Sequence, residues 1–258
     1  MHKSDDPRAA WAASALSPAA VDDLRGRELF EGVDPVALAA IAKHSAIRKL
    51  GGREQLHLIR DEVALVFVIV SGYVSIWANS QFTSEGETFL AWRGPGQIIG
   101  EMKAVADTPA EARVITCEPC EFIEMRSDNF TDVAGGSARI YRNLARLLVK
   151  KMEHERCRSE IIRMTPVRRQ VAQTLLHLAH ERCGRDGLGR LSQIDIPGVI
   201  HQDEVAGYVG VKRETVSREL SGLKKKNIIA YPKSTKGSEI KILDVEALRL
   251  RALGGADG

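Results

Sequence analysis

The stretch Gln202-Asp-Glu-Val-Ala-Gly-Tyr-Val-Gly-Val-Lys-Arg-Glu-Thr-Val-Ser-Arg-Glu-Leu220 reads as two short helices meeting at a glycine turn. Ala206 falls where two helices would press together, Gly210 falls in the turn, and Val216 and Leu220 face inward. That is the grammar of a helix-turn-helix. The second helix presents Lys212, Arg213, Glu214, Thr215, Ser217 and Arg218 near its N-terminal half, and Gln202 opens the first helix. Donors and acceptors so placed are able to enter a major groove.

Downstream, Ile228-Ile-Ala-Tyr231 and Glu239-Ile-Lys-Ile-Leu243 flank a basic turn containing Lys233 and Lys236. Two strands joined this way make a wing that touches phosphates. Upstream, Thr165-Pro166 predicts a helix start with Thr165 as N-cap, and Val171, Leu175 and Leu178 give that helix a buried face, with Arg163 to Thr165 as the hinge before it.

Between Ser137 and Ile162 a helical pattern runs without internal Gly or Pro, and Leu144, Leu148, Met152, Glu155 and Ile162 draw one stripe along it. So narrow a stripe suits a two-stranded coiled coil and predicts a homodimer, with a helix lying on its own barrel as the alternative. From about Ile47 to Met125 the signal is instead short β-branched and aromatic runs: Val63 to Val70, Gly72 to Trp77, Thr88 to Trp92, Gln97 to Ile99, Arg113 to Thr116 and Glu121 to Met125. Their spacing predicts an antiparallel barrel or jelly roll. Before it, Asp34 caps a helix with Pro35 in its first turn.

The fold class is thus α+β: an N-terminal antiparallel jelly-roll barrel, a long dimerisation helix and a C-terminal winged helix-turn-helix. The boundaries are an extension over 1–27, the barrel over 28–136, the long helix and hinge over 137–164, the winged domain over 165–250 and a tail over 251–258.

Bulk properties agree with this division. A chain of 258 residues holds two cores, and a hydrophobic fraction of 44% with 28% charged residues is that of an ordinary soluble protein. No apolar run approaches the roughly 18–20 residues of a membrane span, and the start lacks the apolar core of a signal peptide, which predicts a cytoplasmic protein. The net charge of +3 is uneven: positive residues dominate from Arg139 to Arg182 and from Lys212 to Lys241, whereas Glu85 to Asp132 is mostly acidic. The C-terminal half is the one suited to an anionic partner.

Three segments in this order, Phe67-Val-Ile-Val-Ser-Gly72-Tyr-Val, Gly96-Gln-Ile-Ile-Gly100-Glu101-Met102 and Arg213-Glu-Thr-Val-Ser-Arg218, resemble the CRP/FNR family of bacterial transcription regulators. The resemblance covers almost everything from Leu29 to Leu248. It implies a cyclic-nucleotide-binding jelly roll, double-stranded DNA and RNA polymerase as partners, and base contacts from Arg213, Glu214 and Arg218, at half-sites with a TGTGA-like or TTGA-like core.

For the effector pocket the resemblance implies Gly100 and Glu101 as holders of a ligand's phosphate and ribose hydroxyl, with Met102 and Lys103 following. The family's cyclic-AMP binders show Pro-Arg-Ser-Ala, where this chain has Pro109-Ala110-Glu111-Ala112, so the phosphate arginine is missing. Glu155-Arg156 stands where they carry Thr-Ser. Cyclic AMP in the usual mode is therefore not expected. No small ligand, a guanine cyclic nucleotide or dinucleotide with Lys103 or Arg113 as replacement cation, and a repurposed pocket remain open. Glu155 and Arg156 read alternatively as interhelical salt bridges.

The cysteines Cys117, Cys120, Cys157 and Cys183 are too few to staple the chain. Cys117-Glu-Pro-Cys120 lacks a second pair, and His177, His180 and Cys183 lack a fourth ligand, so no metal site is predicted. Cys183 beside a loop is a candidate redox-sensitive thiol. An enzyme on the barrel would need clustered His and carboxylates, and the strand region offers only His57.

Overall fold

The computed structural model describes residues 24–60, 63–79, 87–106, 108, 112–184, 192–231 and 238–255. It divides into two compact units, Met1–Asn79 with Trp92–Lys151, and Ser80–Ala91 with Met152–Gly258.

In the first unit, α1 (Pro35–Lys43) starts where the Asp34 carboxylate accepts from the Val36 and Ala37 N–H groups at 3.0 and 2.9 Å. The strands follow as β1 (Ser45–Leu50), β2 (Gln55–Leu56), β3 (Ile59–Arg60), β4 (Val63–Ser71), β5 (Val74–Asn79), β6 (Glu87–Arg93), β7 (Ile98–Ile99), β8 (Ala112–Thr116) and β9 (Cys120–Arg126). One sheet has the order β1-β9-β4-β3 with β7 also on β4, and the other β2-β8-β5-β6. Antiparallel pairing sets Phe67 opposite Glu124 and Val74 opposite Thr116.

The period-two alternation of β4 explains how both faces of the first sheet are used. Leu65, Phe67 and Ile69 point into a core shared with Leu56, Val74, Val114 and Phe122 of neighbouring strands. Val66 and Val68 point the other way, into a core with Leu29, Phe30, Ile41 and Phe130. Helices cover that outer face: α2 (Glu101–Ala106), α3 (Ser127–Gly135) and the first half of α4 (Ala138–Ile162).

This packing corrects one expectation. Leu144 is 2% exposed and, with Ile140, Leu147 and Leu148, belongs to the core under the sheet, so it has no surface left to give a partner. Asn143 ties the same half of α4 down, donating to the Leu29 and Glu31 carbonyls at 3.1 and 2.8 Å. The exposed apolar side chains of α4 are Tyr141, Val149 and Met152, with Ile162 near its end.

In the second unit, α5 (Val167–Cys183) buries Val171, Leu175 and Leu178 as anticipated. Its N-cap position is held by Pro166, not by Thr165, and no side chain caps there. Gln170 instead reaches back, donating from Nε2 to the Ile162 and Met164 carbonyls at 2.9 and 2.8 Å, which satisfies groups orphaned at the end of α4. Then come β10 (Ile194–Ile200), α6 (Gln202–Val209), α7 (Arg213–Lys225), β11 (Ile229–Ala230), β12 (Ser238–Ile242) and α8 (Val245–Leu253). The small sheet has the order β10-β12-β11. Strand β10 was not anticipated, because Pro197-Gly198 breaks its alternation; the register shifts between Ile196 and Ile200, with Gly198 at φ 80°. Among the described residues no helix is long and apolar enough to cross a membrane.

Candidate nucleic-acid interface and effector pocket

Helix α6 ends at Gly210, whose φ of 74° is the left-handed conformation that lets the chain reverse without a Cβ penalty. Its N–H and that of Val211 both close on the Ala206 carbonyl, at 2.9 and 3.0 Å. Helix α7 leaves this turn with Val216, Leu220 and Leu223 fully buried. Lys212, Arg213, Glu214 and Arg218 are exposed, and Thr215 and Ser217 are half-buried between them. Positions 213, 214, 217 and 218 share one helical face, so the buried residues on the other side aim that face outward. The back of α7 is fixed by Arg251 on α8, 3.5 Å from Glu219. Its C-terminal end is held by Lys224, which donates to the Tyr231 carbonyl at 2.6 Å.

Arg158, on the second half of α4, holds α6. Its Nε donates to the Tyr208 carbonyl at 3.1 Å, one terminal nitrogen to Gly207 at 3.2 Å and the other to Leu90 on β6 at 3.1 Å. The guanidinium also lies over the Tyr208 ring, 5.3 Å from its centroid. Gly207 and Tyr208 occupy the last turn of α6, where carbonyls lack intrahelical partners. Arg158 is therefore a C-terminal cap supplied by a different helix.

Next to it, one oxygen of Glu181 on α5 lies 3.0 Å from His154 Nε2 on α4 and 2.8 Å from His177 Nε2. Burial alone would raise the Glu181 carboxyl, but the His154 and His177 imidazoles beside it outweigh that and hold its pKa at about 2 against an ordinary 4.5. With the folded value below the unfolded one, the carboxylate stabilises the fold above pH 4.5, and that contribution is lost as pH falls through about 2. Glu181→Gln is expected to flatten the acid limb of a pH–Tm profile over this window and to cost on the order of 2 kcal/mol at neutral pH. A mutant profile parallel to the parent's throughout would contradict the assignment.

In the first unit, the turn between β7 and α2 holds Gly100 at φ 85°, and a Cβ there would collide with the Leu65 carbonyl. Glu101 follows, its side chain 8% exposed, with one carboxylate oxygen 2.6 Å from Lys151 Nζ. The same ammonium donates to the Ile98 carbonyl at 2.9 Å. Burial pushes the Lys151 ammonium below its usual range; Glu101 opposes that and the nearby Arg93 charge adds to it.

Two family models match consecutive parts of the chain: a cyclic nucleotide-binding domain over residues 48–136 and a Crp-like helix-turn-helix domain over 169–251, together more than half its length. The chain belongs to the CRP/FNR family. It is similar to the cyclic AMP receptor protein of Thermus thermophilus, 25% identical over 206 residues that cover 80% of this chain and 89% of that one. A CRP-like cAMP-activated global transcriptional regulator of Mycobacterium tuberculosis is 25% identical over 233 residues, 90% of this chain and 100% of the relative. Among solved structures, FixK2 from Bradyrhizobium japonicum superimposes with a TM-score of 0.60 at 16% identity, covering 83% of this chain and 98% of its own. The c-di-GMP responsive regulator CLP of Xanthomonas campestris gives 0.60 at 20% identity, covering 80% and 99%. Like its relatives, this CRP/FNR protein is a transcriptional regulator and not an enzyme, with a cyclic nucleotide-binding domain and a DNA-binding helix-turn-helix.

The residues singled out for a CRP/FNR effector pocket do not all converge. Glu101 is buried, whereas Met102 is 57% exposed. Lys103 and Arg113 are half-buried, and it is Lys151, not either of these, that supplies the cation at Glu101. Glu155 and Arg156 are exposed, and Glu155 lies 4.0 Å from Arg158 on its own helix. Ala110, Glu111, Lys233 and Lys236 lie outside the described residues.

The cysteines also find places. Cys120 donates to the Tyr73 and Glu118 carbonyls at 3.3 and 3.2 Å, and burial with the Glu118 charge pushes its thiol up to about 12. Cys183 is exposed, but partial burial raises its thiol as well, which lowers the thiolate fraction a redox sensor needs. His177 is engaged by Glu181, and among the described residues no group of three His, Cys, Asp or Glu is arranged to hold a metal.

Proposed function

We propose that this regulator binds a pseudo-palindromic DNA site as a homodimer in the cytoplasm, acts on transcription through RNA polymerase, and does not take cyclic AMP in the usual mode. The observation that carries the DNA reading is the outward face of α7, with Arg213, Glu214 and Arg218 exposed above a fully buried Val216 and Leu220. An Arg fork donates twice to guanine, and Glu accepts from cytosine. Lys212 and Gln202 flank these positions as phosphate contacts.

The dimer reading rests on α4. Tyr141, Val149 and Met152 are 38%, 54% and 71% exposed on a helix that is otherwise well anchored. A second copy related by a twofold axis would bury them and set two α7 helices about one duplex turn, roughly 34 Å, apart.

Against cyclic AMP in the usual mode stands the absence of an arginine in Pro109-Ala110-Glu111-Ala112. The named relatives include both cAMP-activated and c-di-GMP responsive regulators, so a guanine dinucleotide is the comparison to include in any titration.

Arg218→Ala is expected to lose about 1–3 kcal/mol of discrimination between the selected site and scrambled DNA while keeping most of its non-specific affinity. Competition binding at fixed salt measures this. A mutant with undiminished selectivity would remove Arg218 from the base-reading set.

A further inference from the structure

Helix α6 is held at both ends within the winged unit. Arg158 caps its C-terminal carbonyls. At its start His201 and Glu204 form a reciprocal capping box: the His201 ring accepts from the Glu204 N–H, and the Glu204 carboxyl accepts from the His201 N–H at 3.4 Å. His201 is only 4% exposed and Glu204 fully buried, so water does not stand in for either bond. Ser, Thr, Asp and Asn are the common caps, and none of them loses its acceptor oxygen between about pH 5 and 8. Imidazole differs, because a ring nitrogen accepts a hydrogen bond only while it carries no proton. The cap on α6 therefore exists only with His201 neutral and its proton on the other ring nitrogen. A helix of eight residues has few other bonds in its first turn to make up for a lost cap.

We infer that His201 is a positioning residue for DNA binding that works as a proton-sensitive cap: neutral, it fixes the first turn of α6, and protonated, it releases that turn. This role rests on the reading of the chain as a DNA-binding regulator, to which it adds a residue and a condition. His201 lines a small cavity with Gln202 and Asp203 of α6, Arg213 of α7, Tyr231 beside β11 and Ser238 of β12. The charged and titratable groups around it are thus Asp203 and Glu204 on its own helix, Arg213 on α7 and Tyr231. Acidic and basic neighbours both stand there, so the feature that separates the two forms of the ring is the cap itself. A proton on the capping nitrogen sets one N–H against another and adds positive charge at the positive end of the helix dipole. Gln202, a flanking phosphate contact, is the first residue of α6, and Arg213 begins α7 across the same cavity. Release of the turn therefore loosens groups that meet DNA. Acidification through the ordinary imidazole range is expected to weaken specific binding, against the general tendency of added positive charge to strengthen it.

The test compares four forms of the full chain: the parent, His201→Asn and His201→Ser, whose caps do not titrate, and His201→Ala, which has none. Each is assayed at about pH 7.5 and about pH 5.5, on either side of the ordinary imidazole midpoint. The readouts are competition binding at fixed salt to a duplex selected with the parent, and amide hydrogen exchange at Glu204 corrected for the intrinsic pH dependence of exchange. The parent is expected to match His201→Asn within about twofold at the higher pH and to bind at least about fivefold more weakly than it at the lower. Protection of the Glu204 amide is expected to fall by a similar factor between the two pH values in the parent alone. His201→Ala is expected to show the weakened values at both, and His201→Ser to follow His201→Asn. Parallel pH profiles in the parent and both capped variants would overturn the inference. Weak binding by both capped variants at the higher pH, or His201→Ala equal to the parent there, would overturn it too. If the parent selects no DNA site, the regulator reading fails, while Glu204 exchange in the four forms still decides whether His201 is a proton-sensitive cap.

Discussion

Arg158→Ala is expected to lower the melting temperature by roughly 10 °C and to abolish high-affinity DNA binding. The guanidinium donates to three backbone carbonyls, two of them at the orphaned end of α6, and covers the Tyr208 ring. Hydrogen bonds from a charged donor are worth about 1.5–3 kcal/mol each, and leaving their acceptors buried without partners adds to the loss. A total of about 3–5 kcal/mol follows for sites of this kind. Arg158→Lys is expected to recover only a minor part, because one ammonium does not reproduce the fork that spans Gly207, Tyr208 and Leu90. Differential scanning calorimetry with a DNA-binding titration checks both variants. A melting temperature within about 2 °C of the parent for Arg158→Ala would show that α6 is held by something else.

The second large effect is expected from Val149→Glu/Met152→Glu. Both side chains are more than half exposed, so the change leaves the cores of the single chain intact. Across a twofold axis it would set like charges against each other at the centre of the α4 seam, which coiled-coil interfaces do not tolerate. The variant is expected to sediment as a monomer and to bind the paired site at least about 100-fold more weakly, since linked half-site binding multiplies affinity by 10²–10⁴. A variant that remained dimeric would place the self-association surface elsewhere.

Much of the fold was legible because it depends on local pattern. The strand runs between Val63 and Met125, the Asp34 cap and the Gly210 turn each combine a periodicity with residues that punctuate it, and the structure has them within a residue or two of their expected places. The stripe on α4 does form a helix, but its exposure changes along its length. Leu144 and Met152 fall on the same three- and four-residue steps, yet the first is 2% and the second 71% exposed. A helix that leans on its own sheet at one end spends the same apolar period twice, and spacing alone does not say which neighbour buries which residue.

The interactions that give the sites their character were not legible. Lys151 is one of many basic residues in a helix rich in them, and Glu101 lies 50 positions away in sequence. Arg158 reaches carbonyls, which no side-chain pattern announces. The His154–Glu181–His177 cluster joins two helices, and the three-residue steps of His177, His180 and Cys183 pointed to a different grouping. Long-range pairs of this kind follow from topology, so they enter view only when the chain is folded.

The most direct test of the central claim is selection of bound sequences from randomised duplex DNA by the full-length protein, run at two salt concentrations and with and without cyclic nucleotides. One twofold-symmetric motif is expected, its half-sites about one helical turn apart, recovered alike with and without cyclic AMP and weakening steeply with salt. A motif that emerged only with cyclic AMP, or no enrichment at any salt, would contradict it.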